Sequence, residues 1–437
     1  MLAAAGATGV LVIGLAVFFI WGGNDQDEKA DAYDSPETAA INVADLPDGA
    51  PSPDQVRRIN YEPILDASHW LERFPYQTES FLKERQYGAK KNYLEIYPFL
   101  NTIFAGSRFA EAYYSPLPHD YAIENVKLTP RLTPQHPAGC FGCKTPDYPI
   151  MEAADPAAMW SRGFYEVESQ MNSTITCYDC HRNTPGRGIS GSTGYYDRGF
   201  VGSIRSHFDV FYQETRGATA ACAQCHNEYF FHPETRQVTL PPGITDPTLI
   251  FEFYNHLGIV DHVNPYTGTE QLKVQHPEYQ HFVDSIHQDK GLTCVDCHMQ
   301  RSTPDGTGGF ISNHMIQRPS DSEEILQSCT RCHLGGAEGV RTLIRQTQDS
   351  MNTRTNTLGD RLAAFQTNFA AAIEADNLTS AQIDELRALD REATWYFDWV
   401  FSENGDGVHN YAAGLEWLAI SNRVLDNAER ILQIATR

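Results

Sequence analysis

Positive charge is scarce in this chain: 33 Lys and Arg face 56 Asp and Glu over 437 residues, a formal net charge of −23. A nucleic-acid binder needs a basic stripe to displace counterions from phosphate, so that class is excluded. Hydrophobic residues make up 41% and aromatics 11%, which excludes a disordered or collagen-like chain. Unpaired cysteine is also missing, because all ten cysteines fall into five Cys-x-x-Cys pairs. Nor is there any Lys or Arg before Lys29, so the chain lacks the basic n-region of an ordinary signal peptide.

What the first residues do contain is an uncharged run from Leu2 to Trp21. Roughly twenty apolar residues suffice to cross a bilayer, so residues 1–23 read as a membrane anchor. A cleaved signal is the alternative, with Ala30-Asp31-Ala32 as the nearest small-x-small site, and a buried core helix is the third reading. The first two export the rest of the chain. Residues 24–59 are acidic, contain proline and hold few large apolar residues, as a linker does.

Residues 60–336 are rich in Gly, Pro, Tyr and His, with short apolar runs and few helical periods. A stretch so poor in core-forming residues implies that something other than side chains fills its interior. From residue 337 to 437 the texture changes. Ile344, Met351, Leu358 and Phe365 fall seven apart, with Leu362 and Phe369 beside them. Thr379 with Gln382 has the form of a capping box, opening a helix through Leu386, Trp395 and Trp399. A last helix is predicted from about Tyr411 to Ile434. These stripes serve either an intramolecular core or a helical dimer interface.

The cysteine pairs are Cys140 with Cys143, Cys177 with Cys180, Cys222 with Cys225, Cys294 with Cys297 and Cys329 with Cys332. The residues that follow them are Lys144, His181, His226, His298 and His333. In c-type haem attachment two thiols form thioethers and the adjacent His reaches the iron, so the motif must be contiguous. A zinc site needs no His directly after each second Cys, which makes zinc a poor reading of four repeats. Lys144 marks either a degenerate motif or a haem with an unusual proximal ligand, since an amine ligates iron only when deprotonated. Four bis-His haems need eight of the 16 histidines, so four more must come from elsewhere in the chain.

One Cys-x-x-Cys-Lys motif followed by four Cys-x-x-Cys-His motifs resembles the ammonia-forming pentahaem cytochrome c nitrite reductases, over roughly residues 60 to 437. The resemblance implies a mainly α multihaem fold packed around five c-type haems, with long C-terminal helices that form a homodimer. Residues 60–336 would be the pentahaem catalytic region and 337–437 the dimerising helices. It implies a periplasmic enzyme, reducing nitrite to ammonium with six electrons at the Lys144-ligated haem.

Residue by residue, the string "HDYAIENVKLTPR" places His119 and Arg131 at the family's spacing for a distal ligand and a catalytic Arg. Arg108 is the competing Arg. Glu228-Tyr229-Phe230-Phe231 and Lys273-Val274-Gln275-His276-Pro277-Glu278 resemble the family's calcium and active-site segments. By that likeness Glu228 and Gln275 side chains with the Tyr229 and Lys273 carbonyls hold Ca²⁺, an all-oxygen set suited to a hard cation. Arg131, Tyr229 and His276 are then the catalytic residues, with His276 titrating near neutrality as the proton donor. His287, His314 and His409 complete the distal set, pairing His181 with His314, His226 with His119, His298 with His409 and His333 with His287.

The implied donor is a membrane quinol dehydrogenase or a soluble cytochrome. Two rival functions remain at this level: a pentahaem electron carrier without turnover, and a related oxidative enzyme, which would carry more haem motifs than these five. Hydroxylamine or sulfite stands as an alternative main substrate.

Overall fold

The computed structural model describes residues 66–72, 74–180, 217–239, 243–299, 301–302 and 311–436, which belong to one compact unit. The predicted anchor, the linker and His181 lie outside the described residues. Among the described residues no helix is long and apolar enough to cross a membrane.

The fold is mostly helical. Among the described residues between 66 and Gly335 the helices are short, the longest being ten residues, as expected of a stretch rich in Gly and Pro. The elements used below are α1 (Gly217–Ala223), α2 (Pro247–His256), α3 (Glu278–Phe282), α4 (Cys294–His298), α5 (Glu323–Cys329), α6 (Gly336–Glu374), α7 (Ser380–Phe401) and α8 (Tyr411–Ala435). The strands form two-residue antiparallel ladders. In one, β1 (Phe230–Phe231) pairs with β2 (Val238–Thr239); in another, β3 (His262–Val263) pairs with β4 (Glu270–Gln271) in the register His262 to Gln271.

The three long helices carry the largest apolar cluster. Met351, Leu358, Leu362, Phe365 and Phe369 of α6 meet Leu386 and Phe397 of α7 and Leu418 and Leu425 of α8. Phe99, Leu100, Ile103 and Phe104 of the preceding region insert into the same cluster. Each such side chain contributes about 1.5–3 kcal/mol of burial. Gly359 permits the approach of Phe99, since a Cβ there would lie 2.7 Å from the Phe99 ring. The predicted stripe is therefore core within the chain. The predicted capping box is present too: Thr379 Oγ1 accepts the Gln382 amide at 3.3 Å, and Gln382 Oε1 accepts the Thr379 amide at 2.9 Å.

One polar group is embedded where the helices meet the β3–β4 hairpin. Asp390 of α7 is fully buried and accepts from Gln366 Nε2 of α6 at 2.9 Å and Gln271 Nε2 of β4 at 3.1 Å. Burial pushes its carboxyl up to about 6, against the bonds from Thr269, Gln366, Thr394 and Gln271 that favour the anion. A raised carboxylate pKa means that the native state binds the proton more tightly than the unfolded chain. Stability should therefore fall as pH rises from about 4 to about 6 and then level off. An Asn could replace the charge, because Gln271 Oε1 and Gln366 Oε1 lack partners and either amide can turn to accept. We expect Asp390→Asn to abolish that slope in thermal unfolding and to stay within about 1 kcal/mol of the parent at pH 7.

Candidate functional site

Each described motif is a single tight turn, which brings its two thiols and the residue that follows close together. In the third, at the end of α1, the amides of Cys225 and His226 both return to the Cys222 carbonyl. The fifth repeats this at the end of α5, where Cys332 and His333 return to Cys329. The fourth occupies α4, opened by a capping box between Thr293 and Asp296. In the first, the Lys144 amide bonds to the Phe141 carbonyl.

The second motif is described only as far as Cys180. Cys177 and Cys180 stand at the two ends of one short helical turn, both half-buried, while the ligand expected directly after Cys180, His181, lies outside the described residues. The pairing of His181 with His314 is therefore without a described geometry, and Cys180 as a haem thioether rests on its motif and its surroundings. Those surroundings agree with it: the Cys222 thiol is raised by its bond to Cys294, by burial and by the fields of Cys294, Cys180 and Cys225. Thiols of the second, third and fourth motifs thus gather in one region. None of the ten thiols is in a disulfide.

Three histidine pairs face one another across long stretches of sequence. The ring centroids of His119 and His226 lie 6.1 Å apart, those of His298 and His409 6.1 Å, and those of His287 and His333 6.2 Å. Two imidazoles on one metal, each with a bond of about 2.0 Å, would hold their centroids roughly 6 Å apart. His226 also faces His276 at 6.5 Å.

The second ring nitrogen is held in several of these residues. His298 Nδ1 bonds the Gln317 carbonyl at 3.0 Å, and His314 Nδ1 the Ser312 carbonyl at 2.8 Å. His409 Nδ1 makes a short bond to Glu403, and His119 Nδ1 lies 3.5 Å from Glu84. Such bonds fix the tautomer that offers Nε2 to a metal. The His226 side chain is 48% accessible between His119 and His276, so its ring is open to a ligand. Paired rings, fixed tautomers, unbridged thiols and an accessible ligand ring all fit covalent haem.

Lys144, Arg131, Tyr229 and His276 converge around the first motif. Arg131 is mostly buried; its Nη1 donates to the Ala112 carbonyl at 2.8 Å, and its guanidinium lies 4.3 Å from the Phe109 ring centroid. Arg108, the competing Arg, is half exposed and paired with Glu111. Tyr229 sits in the field of Cys143, Cys140 and Glu228, and its phenol is raised well above its ordinary value, chiefly by burial. It stays protonated. His276 is pushed down to about 3 by burial and by the charges of Lys144, Lys273 and Arg131. The expectation that His276 titrates near neutrality is thereby corrected: it is a neutral imidazole at pH 7, offering an N–H without a charge.

Beside them the predicted cation segment folds on itself. The Gln275 amide donates to Glu228 Oε2 at 2.6 Å, and Gln275 Nε2 donates to the Lys273 carbonyl at 2.7 Å. Glu228 is fully buried beside the Tyr254 phenol, and its Oε1 makes no hydrogen bond of good geometry. Burial raises its carboxyl well above the ordinary range. An orphaned carboxylate oxygen next to a carbonyl and a reversible side-chain amide is an all-oxygen donor set, and it fits a hard cation.

Sequence reasoning missed the carboxylates behind the histidines. Glu84 is almost fully buried and accepts the amides of His119 at 3.1 Å and Ile316 at 3.2 Å. Glu403, six residues before His409, also accepts the Gly407 amide at 3.1 Å. His409 and the Gly407 amide hold its carboxyl down to about 2 despite its burial. Only proximity to His409 could have signalled Glu403, and nothing local signals Glu84.

Residues 66–436 match the family described as Cytochrome c552. The chain is 30% identical over 385 residues to cytochrome c-552 of Maridesulfovibrio salexigens, covering 83% of this chain and 75% of that one. It is 26% identical over 396 residues to cytochrome c-552 of Desulfotalea psychrophila, covering 84% and 76%. Among solved structures, the cytochrome c nitrite reductase of Desulfovibrio desulfuricans ATCC 27774, whose catalytic subunit has two calcium sites, superposes with a TM-score of 0.74. That likeness is at 23% identity, over 85% of this chain and 86% of the other, and it supports the fold. With nearly the whole described chain matched and the haem motifs in place, this protein belongs to the cytochrome c552 family.

Proposed function

We propose that this protein is a periplasmic pentahaem nitrite reductase that converts nitrite to ammonium. One observation carries the reading: Lys144, Arg131, Tyr229 and His276 converge at the one motif that ends in Lys. The function of the structurally similar enzyme supports the same chemistry. The balance is NO₂⁻ + 6 e⁻ + 8 H⁺ → NH₄⁺ + 2 H₂O. An electron carrier has no use for this convergence around a Lys-ended motif.

In this reading the ten cysteines, Cys177 and Cys180 among them, hold five haems by thioethers. Lys144 ligates the catalytic haem, which when bound supplies the electrons and an open coordination position. The pairs His181 with His314, His226 with His119, His298 with His409 and His333 with His287 hold the other four haems as relays. Arg131 binds the anion and stabilises the charge that grows on oxygen as each N–O bond breaks. His276, neutral and buried, donates a hydrogen bond from its N–H to the departing oxygen, while the protons that the balance requires arrive from solvent. Tyr229, kept as the phenol by burial, donates a second hydrogen bond. Glu228, Gln275 and the carbonyls of Tyr229 and Lys273 would hold Ca²⁺, which would fix Tyr229 and Gln275 and offset the acidity of the whole chain near an anionic substrate. The N-terminal segment keeps the enzyme near a membrane quinol dehydrogenase or a soluble cytochrome, and the long helices pair two copies.

Turnover with a reduced viologen should consume about six electrons per nitrite and release ammonium. Fully haem-loaded protein that yields none would establish the carrier instead. Arg131→Lys should lower kcat/KM for nitrite by roughly 10²-fold, because a point charge cannot replace the planar fork. For Glu403→Gln we expect the redox potential of the His409-ligated haem to rise and turnover to drop by roughly tenfold, because a neutral amide makes His409 a weaker donor. Spectropotentiometry reads that shift, and an unchanged potential contradicts the role given to Glu403.

A further inference from the structure

We infer that Asp398 of α7 is a positioning residue for the cation loop, holding the backbone whose Lys273 carbonyl meets the Gln275 side chain and whose Gln275 amide meets Glu228. The inference rests on the calcium reading above and deepens it. Asp398 is fully buried and lies 125 residues from Lys273 in sequence. Its two oxygens accept Lys273 Nζ at 3.0 Å each, and Oδ2 also accepts the Val274 amide at 2.7 Å. Ser402, one turn further along α7, donates to Asp398 Oδ1 at 2.8 Å and accepts Lys273 Nζ at 2.6 Å. Lys273 Nζ completes its bonds on the Val274 carbonyl at 2.9 Å.

These contacts straddle the Lys273 carbonyl. The Lys273 side chain and the Val274 amide, on either side of that carbonyl, are both tied to one carboxylate, so the peptide between them has little freedom to turn. The carbonyl is thereby aimed at Gln275, whose own amide is fixed by Glu228. Asp398 makes no hydrogen bond to the oxygens proposed to hold the cation; it acts on them through the Lys273 side chain and the backbone of residues 273 and 274. A wall of aromatic rings adds to the restraint, with Lys273 Nζ 4.9 Å from the centroid of Phe104 and 5.3 Å from those of Phe109 and Tyr113. Phe109 is also the ring beneath Arg131, so the same anchor reaches the anion-binding side of the site.

Calcium binding to the haem-loaded enzyme, measured by calorimetry after chelation, tests this. Asp398→Asn should weaken calcium binding by roughly tenfold or more, as losing a residue behind a metal ligand does. Saturating calcium should then restore the turnover rate while the absorption spectrum of the haems stays that of the parent. Because Asp398→Asn leaves Lys273 buried without its anion, Lys273→Met/Asp398→Leu serves as the second variant, with apolar groups of similar volume and no stranded charge. It should fold, with an unfolding temperature lowered by the Val274 amide left without its acceptor, and show the same loss of calcium affinity. Either folded variant binding calcium within about twofold of the parent would overturn the inference while leaving the calcium reading intact. A parent that binds no calcium would overturn the calcium reading, and this inference with it.

Discussion

A histidine can serve a metal only through an unprotonated nitrogen, and the proteins that use it must hold the other nitrogen in place. That requirement organises this molecule. His298 and His314 give their Nδ1 protons to backbone carbonyls of their own neighbourhoods, whereas His119 and His409 are backed by the buried carboxylates of Glu84 and Glu403. The rings that face His119 and His298 come from elsewhere in the chain, as with His298 and His409, 111 residues apart. The short helices and turns of the first half aim such side chains, and they also build an apolar cluster of their own beside the first motif, with Phe141, Tyr148, Met159, Trp160 and Phe164 buried together.

The long helices supply the larger of the apolar clusters. Their cluster encloses Phe99 to Phe104, immediately before the segment that carries Phe109 and Tyr113. Their polar faces reach the site as well: Asp390 binds the hairpin that leads into residue 273, and Asp398 binds residues 273 and 274 directly. Fixing buried charges in this way costs desolvation, and the return is geometry. A helix that would look like a dimerisation device by its stripe alone is also the scaffold on which the cation loop is hung.

The five motifs were legible in the sequence because their chemistry requires contiguity: two thiols and a ligand on one turn can be read in five letters. The helices from Gly336 onward were legible for a similar reason, since the seven-residue spacing of Met351, Leu358 and Phe365 and the Thr379–Gln382 box are local signals. Glu84 and Asp398 were not, because they act on residues 35 and 125 positions away through single bonds that leave no periodic trace. The gathering of Cys180, Cys222 and Cys294 from three separate motifs was equally invisible, because spacing along the chain says nothing of which motifs become neighbours. The protonation state of His276 was misread for a physical reason. Its type suggested a group titrating near pH 7, but burial and three cations drawn from separate segments determine its charge. Arg131 was placed by its spacing from His119 with Arg108 as the competitor, and the two differ in setting, Arg108 paired with Glu111 at the surface and Arg131 stacked on Phe109.

The central claim is that one of five haems, the one at Lys144, differs from the rest in keeping a coordination position open. Electron paramagnetic resonance on the oxidised enzyme, integrated against total iron and haem, tests it most directly. The account predicts five haems per chain, four low-spin and one whose signal changes when nitrite is added. Five low-spin haems indifferent to nitrite, or a haem count below five, would contradict it.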